Sequence, residues 1–451
     1  MRRDVLKFGG QALRDGVAVR RAAGLIVQES LRGSLPVVVV SAHAGVTDLL
    51  EDVARRAAGG RIQIDGVRIR HRSILAQLGF DPELLDRYWR ELSALLDQIS
   101  ARGELDAAAL DHALSFGERL SARIVARALE SEGVQATPVD AWDLGLITDS
   151  NHGRATPLAG IGENVRTALQ GVSGVPVVTG FLARDRDGRA TTLGRDGSDL
   201  TASLLAEAVN AEELCYWKTV EGIMTADPRL VPDARPLHEV SYVEAAELAS
   251  HGARVLHSSA VAPAQRAGIP IRVADVRDPS SGGTRLVPEV TRSSPISLAT
   301  RSEVFCVELD SPEPQERTQG VPDLEAELVR DGVSVAWMAS EGSPCAVVLP
   351  GPCLPHALGR LGREARVVRD LATVALVGQG VAGHGDTVAL AHSALAEAGV
   401  HVHRSRSSDD GSSLAILVTS SDLERAVRTL HTHLVADTKA LVGLGAHSEQ
   451  I

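Results

Sequence analysis

The feature that most constrains the fold is the alternation, through the first half of the chain, of short apolar β-branched runs with stretches of helical spacing. "DVLKF" (residues 4–8) reads as a strand, Val17 to Leu31 has apolar residues at helical spacing, and "PVVVV" (36–40) is a continuous run of the kind buried on both faces. "TDLLEDVARRAA" predicts a helix capped by Thr47. Strands and helices in this order predict an α/β fold with a mainly parallel sheet sandwiched by helices. Residues 80–133 are helical in pattern, and "VPVVTGFLAR" (175–184) predicts a strand entering a hairpin that turns at "DRDG". "SDLTASLLAEAVNA" predicts a helix starting at Ser198 or Asp199, and strands follow at "ELCYWKTV" and "GIPIRVADV". This unit is expected to span residues 1–292.

Beyond the linker "TRSSP" the texture changes, and residues 293–451 are expected to form a separate region of short strands and two amphipathic helices. Residues 371–435 read strand, turn, helix, strand, strand, helix, as in a ferredoxin-like unit, and a weaker copy is expected over residues 296–349. The "GQGVAG" in the later copy is compatible with a plain turn or with a phosphate loop.

Composition excludes several classes of function. A net charge of −12 argues against a nucleic-acid backbone as partner, and no run of about 18 apolar residues offers a membrane span. Arg2 and Arg3 are followed by no apolar leader segment, so the chain is expected to be cytoplasmic. Cys215, Cys306, Cys345 and Cys353 include no CxxC pair, and His43, His257 and His384 lack ligand spacing, so no protein-held metal is expected. Of 46 basic side chains only three are lysines, Lys7, Lys218 and Lys439. Where arginine is the default cation, a retained lysine suggests a need for a compact, flexible ammonium.

Three glycine-rich turns follow strands in the first half: "KFGG" (7–10), "SAHAG" (41–45) and "TTLGRDGSD" (191–199). Each would expose backbone N–H groups beside a helix N-terminus, a geometry that attracts phosphate. None is a Walker loop or a GxGxxG motif, and singly each could be a structural turn. Three in one α/β unit, with Lys7 on the first and Arg195 on the third, point to phosphoryl transfer.

Taken in order, "KFGG", "VVVVSAHAGVTDLL", "FGERLSA", "VVTGFLARDRDGRATTLGRDGSDLTASLLAEA", "WKTVEGIMTADPR" and "GARVLHSSAVAPAQRAGIPIRV" resemble the aspartate kinases of the amino acid kinase superfamily. The resemblance covers roughly residues 1–290, and the last 80 or so resemble the family's ACT domain. It implies an amino acid kinase fold followed by two ferredoxin-like ACT domains, which would dimerise the chain and could bind an amino-acid effector. The implied reaction converts ATP and L-aspartate, with Mg²⁺, into ADP and 4-phospho-L-aspartate. Carried over by motif, Lys7 bridges phosphates, Ser41 and Thr47 line the aspartate and phosphate site, and Glu118 receives the substrate's α-amino group. Arg195 holds a substrate carboxylate and Asp199 is the active-site acid. Gly9, Gly10, Lys218, Thr219, Met224, Arg229 and Arg254, with Lys7, would line the nucleotide site. The plain structural readings stand beside these: Glu118 as a solvated helix acid, Asp199 as a helix cap, Trp217 and Met224 as core.

The chain also departs from the family pattern. Gln11 and Ala12 stand where small hydroxyl residues follow "KFGG". Lys218 and Thr219 replace Thr and Asp, Met224 replaces Tyr, Arg254 replaces Lys, and Ser258 and Ser259 replace Pro and Arg. The aspartate side is better kept than the nucleotide side, and Lys218 is expected to return to the nucleotide an ammonium lost from the "GAKVLHP" position. Phosphorylation of another acidic amino acid and an ACT-based regulator with weakened catalysis are the competing expectations.

Overall fold

The computed structural model describes residues 3–33, 35–253, 256, 258–290, 296–309, 328, 335, 337–339, 345–361, 366–381 and 385–436. Arg254, His257, His384 and Lys439, with much of the expected first ACT-like segment, lie outside the described residues. The chain divides into two compact units, Met1–Ile223 with Leu256–Pro288, and Met224–Val255 with Glu289–Ile451.

In the first unit the strands are β1 (Val5–Phe8), β2 (Val37–Val40), β3 (Ala136–Val139), β4 (Val175–Thr179), β5 (Leu182–Arg184), β6 (Ala190–Thr192) and β7 (Leu214–Lys218). After β8 (Glu239–Ser241), which belongs to the second unit, come β9 (Ile271–Asp275) and β10 (Thr284–Val287). The helices are α1 (Gly16–Leu31), α2 (Val46–Ala58), α3 (Asp65–Leu78), α4 (Asp86–Arg102), α5 (Ala107–Ser131), α6 (Ile161–Gln170) and α7 (Gly197–Val209), with α9 (Ser258–Arg266) following α8 (Tyr242–Ser250) of the second unit.

Within this unit the sheet runs β3, β4, β2, β1, β7, β9, β10. Its neighbours are parallel except β9 and β10. The chain passes from β1 to β2 on one side, and β7 lies on the other. That makes the carboxyl end of β1 the switch point where open α/β sheets leave a crevice for ligands.

Strands β1, β2 and β4 are buried at every position, as strands covered on both faces must be. Leu6, Phe8, Val38, Val40, Cys215 and Trp217 share a core with α1 to α5, including Ile26, Leu50, Leu96, Phe116 and Leu120. Phe8 stacks on Trp217 with ring centroids 6.3 Å apart. Alternation then turns Lys7 and Tyr216 to the opposite face, where both meet Asp199 of α7.

Three local expectations are corrected. The run 175–184 is two strands: Phe181 takes a left-handed φ of 68° and breaks β4 from the β5–β6 hairpin. A Cβ on Gly180 would come within 2.6 Å of Ser198 Cβ, so this break packs tightly on the start of α7. Helix α2 is entered through Gly45 at φ 76°, which leaves Thr47 inside its first turn and not at the cap. Helix α7 begins at Gly197 after Asp196 at φ 55°, without a side-chain cap.

In the second unit, β11 (Ser297–Leu309), β12 (Trp337–Ala339), β13 (Cys345–Pro350), β14 (Arg366–Val377), β15 (Arg404–Ser407) and β16 (Ser413–Thr419) form an antiparallel sheet in the order β12, β13, β11, β14, β16, β15. Its helices are α8, fixed by a capping box between Ser241 and Glu244, α10 (Leu354–Leu361), α11 (Gly385–Glu397) and α12 (Leu423–Leu430). The succession β14, α11, β15, β16, α12 is the expected ferredoxin-like order. Val374, Leu376, Leu395, Ile416 and Val427 form its core together with Ala226 and Val231. The segment Met224–Val255, expected within residues 1–292, thus packs in the second unit. Among the described residues no helix is long and apolar enough to cross a membrane.

Candidate active site

Strand β1 ends on Lys7 and Phe8, and the alternation that sends Phe8 into the core leaves the Lys7 ammonium on the α7 face. There it pairs with Asp199 Oδ1, both side chains being buried. Lys218, at the end of β7, reaches the other oxygen of the same carboxylate, with Nζ 3.2 Å from Oδ2. Asp199 is therefore no helix cap: its side chain holds two ammoniums that come from neighbouring strands. Burial pushes its carboxyl pKa up, but the Lys7 and Lys218 charges and hydrogen bonds prevail and hold it below the usual carboxylate value. The Tyr216 hydroxyl, from β7 opposite Lys7, donates to the Asp199 carbonyl at 3.1 Å and fixes the first turn of α7.

The loop after β1 is shaped by contact with the loop after β2. A Cβ on Gly10 would lie 2.7 Å from the Ala42 carbonyl oxygen, so only glycine fits, whereas at Gly9 a Cβ would meet Lys7 Nζ at an ordinary 3.7 Å. The Ala44 N–H donates to the Gly10 carbonyl at 3.1 Å, and the Ser41 N–H to the Phe8 carbonyl at 3.1 Å. Ser41 and Thr47 are half-buried along this crevice edge. Gln11 is exposed and Ala12 is buried in the core, so the small residue at 12 answers to packing.

Glu118 enters from α5 and is only 3% exposed, which excludes a solvated helix acid. Its Oε1 accepts the Ala42 N–H at 3.0 Å, while Oε2 is buried without a hydrogen-bond partner among the described residues. Burial raises its pKa to about 8, against the Ala42 and Glu118 N–H groups and the Lys7 charge, which lower it. A buried oxygen without a donor costs on the order of 1–3 kcal/mol, which a cationic ligand would recover.

Arg195 is exposed on the loop before α7, and its guanidinium has no partner among the described residues. The positive end of the α7 dipole lies next to it. Asp111 secures this loop from behind: its carboxylate accepts from Thr192 N (3.1 Å), Thr192 Oγ1 (2.7 Å), Gly153 N (2.9 Å) and His152 Nδ1 (3.1 Å). Sequence reasoning missed Asp111. The available signal was its place seven residues before Glu118, two turns along one face of α5.

Lys7, Gly9, Gly10, Ser41, Thr47, Glu118, Arg195, Asp199, Lys218 and Thr219 all belong to the first unit. Thr219 is half-buried, and its carbonyl accepts from Arg277 Nη2 at 2.8 Å. Met224 and Arg229 belong to the second unit. There Met224 is half-buried, its carbonyl accepting the Ser297 hydroxyl at 2.7 Å, and the exposed Arg229 is gripped by Asp227 at 2.6 to 3.1 Å. Trp217 is core, as its plain reading had it. No group of three or more metal-ligating side chains is assembled among the described residues. Asp199 has an ammonium on each oxygen and Glu118 uses one oxygen on Ala42, so the acids present do not form a Mg²⁺ ligand set.

Comparison with known proteins accords with this geometry. The model of the amino acid kinase family matches residues 2–275, and an ACT domain model matches residues 374–434. The lysine-sensitive aspartokinase 3 of Escherichia coli is 34% identical over 359 residues, 76% of this chain and 78% of that protein. The aspartokinase of Mycolicibacterium smegmatis is 30% identical over 466 aligned positions, 98% of both chains. The crystal structure of E. coli aspartokinase III in complex with aspartate and ADP superposes with a TM-score of 0.80 at 29% identity, over 96% of this chain and 99% of that one. With its parallel sheet, its switch-point lysine and its C-terminal ACT domain, the chain belongs to the amino acid kinase family and, within it, to the aspartokinases.

Proposed function

We propose that the protein transfers the γ-phosphoryl group of ATP to the side-chain carboxylate of L-aspartate, giving 4-phospho-L-aspartate and ADP. The observation that carries this reading is Glu118. In a crevice lined with cations for an anionic ligand, a buried acid with one unpartnered oxygen suits a ligand that also bears a cation. An acidic amino acid is such a ligand: Glu118 receives its ammonium and Arg195 one of its carboxylates.

The chemistry needs no general base, because a carboxylate with a reference pKa near 3.9 is already ionised at neutral pH. One carboxylate oxygen bonds to the γ-phosphorus as the bond to the β,γ-bridging oxygen breaks, and ADP departs with the electron pair. The difficulty is bringing two anions together, roughly 4 kcal/mol for unit charges about 4 Å apart at an effective dielectric of 20. Lys7, Arg195 and the N–H groups of the glycine turns offset this repulsion, which is the main device of phosphoryl transfer. Mg²⁺ would come with the nucleotide and add to this neutralisation of phosphate charge. Lys218 and Thr219 are assigned to the nucleotide side.

We infer further that the protein is cytoplasmic, that it assembles through its ACT region as a homodimer or higher homo-oligomer, and that the same region offers a site for an amino-acid effector. An ADP-release assay with ATP, Mg²⁺ and L-aspartate, run with and without lysine and threonine, tests substrate and regulation together. Activity on aspartate that Lys7→Ala abolishes supports the reading; activity on another acidic amino acid alone refutes it.

A further inference from the structure

Lys218 stands where the aspartokinase pattern has threonine, and the geometry gives it a more specific task than holding a nucleotide. Its ammonium, 19% exposed as a side chain, does not extend alone into the crevice but sits on Asp199 Oδ2, while Lys7 sits on Oδ1. A carboxylate that carries a cation on each oxygen is a spacer: it sets the separation of the two ammoniums and keeps both beside the end of β1. Strands β1 and β7 are hydrogen-bonded neighbours in register, Lys7 opposite Tyr216 and Phe8 opposite Trp217, so the two lysines project from adjacent strand ends. The Tyr216 hydroxyl on the Asp199 carbonyl fixes the spacer, and the Tyr216 ring lies 5.9 Å from Lys218 Nζ, close enough for a cation–π contact. The three side chains carry a net charge of +1 in a crevice whose acids form no metal ligand set.

We propose that Lys218 is a second catalytic ammonium. Together with Lys7, and spaced from it by Asp199, it contacts the transferring phosphoryl group and stabilises the charge that develops on it, in addition to any part it has in holding ATP. This rests on the aspartate kinase reading above. An ammonium that binds ATP equally before and during transfer lowers KM and leaves kcat alone, whereas one fixed on the reacting group acts on kcat.

The test is steady-state kinetics of the full-length protein with ATP, Mg²⁺ and L-aspartate, comparing wild type with Lys218→Met, which keeps the side-chain volume, and with Lys218→Ala assayed with and without added ethylamine. The expected result is a kcat lowered about 100-fold in both variants, the scale of losing one preorganised donor. KM for ATP should move less than about threefold, and ethylamine should restore part of kcat to Lys218→Ala only. Circular dichroism and melting temperature report folding separately, and rescue by a free amine is a response that a merely structural lysine would not give. A KM for ATP raised tenfold or more with kcat unchanged would overturn the inference and return Lys218 to plain nucleotide binding. Full activity of both variants would also overturn it, leaving the aspartate kinase reading intact. Wild type that turns over no aspartate would overturn that reading and this inference with it.

Discussion

At Glu118 burial outweighs the Ala42 N–H and the Lys7 charge, so without substrate the carboxyl keeps its proton up to about pH 8. Its unfolded value is the ordinary 4.5, so between these two pH values the folded chain binds more protons than the unfolded one. Stability from this group is complete below pH 4.5 and is lost as pH rises through about 8. Glu118→Gln should therefore melt close to wild type near pH 4.5 and above it at pH 8, by an amount on the order of a few kcal/mol. Melting curves of the two proteins that stay parallel across this range would contradict the burial of a protonated acid. A substrate ammonium needs the ionised form, so the KM for L-aspartate should fall as pH rises towards 8, and Glu118→Gln should flatten that dependence. Lys7, Glu118, Arg195 and Asp199 could be read from short motifs because each sits in a local pattern of its own. The pairing of Lys218 with Asp199 could not, since it exists only once α7 packs its first turn against the end of β7.

The loops that form the crevice are positioned by close contacts between elements. Replacing Gly10 by alanine would put a methyl 2.7 Å from the Ala42 carbonyl, a backbone atom that cannot swing aside. Gly10→Ala should cost about 1–3 kcal/mol in urea unfolding, as overpacking does, and Gly9→Ala, which meets only Lys7 Nζ at an ordinary 3.7 Å, should cost less. Equal costs would show that the loop is not held by that contact. Asp111 ties Thr192, which leads into the Arg195 loop, to the loop at His152 and Gly153 through four hydrogen bonds, two on each side, so Asp111→Ala should lower stability by about 3 kcal/mol. Because the displaced loop carries Arg195, the KM for aspartate should rise more than that for ATP; the reverse order would place Arg195 on the nucleotide side. The order of strands and helices was legible in the apolar periodicity. The end of β4 and the cap of α2 were not, because Phe181 and Gly45 adopt left-handed backbone that no periodicity announces.

At the scale of the whole molecule, the family match and the packing divide the chain differently. The amino acid kinase model runs unbroken over residues 2–275, yet Met224–Val255 belongs to the second compact unit, where Ala226 and Val231 share a core with Val374 and Ile416. A change in texture along a sequence marks where one pattern stops, and cannot register a segment that leaves one unit and packs in another. A fragment of residues 1–292 strands that segment without its core, and should express as an aggregating or dye-binding species. A soluble fragment that melts as sharply as the full chain would refute this packing. The central claim, that the crevice at the end of β1 phosphorylates L-aspartate, is tested most directly by trapping the product. Full-length protein incubated with ATP, Mg²⁺, L-aspartate and hydroxylamine should give aspartyl hydroxamate, at a rate cut by about 1,000-fold or more in Lys7→Ala. No hydroxamate from wild type, or as much from Lys7→Ala, would contradict it.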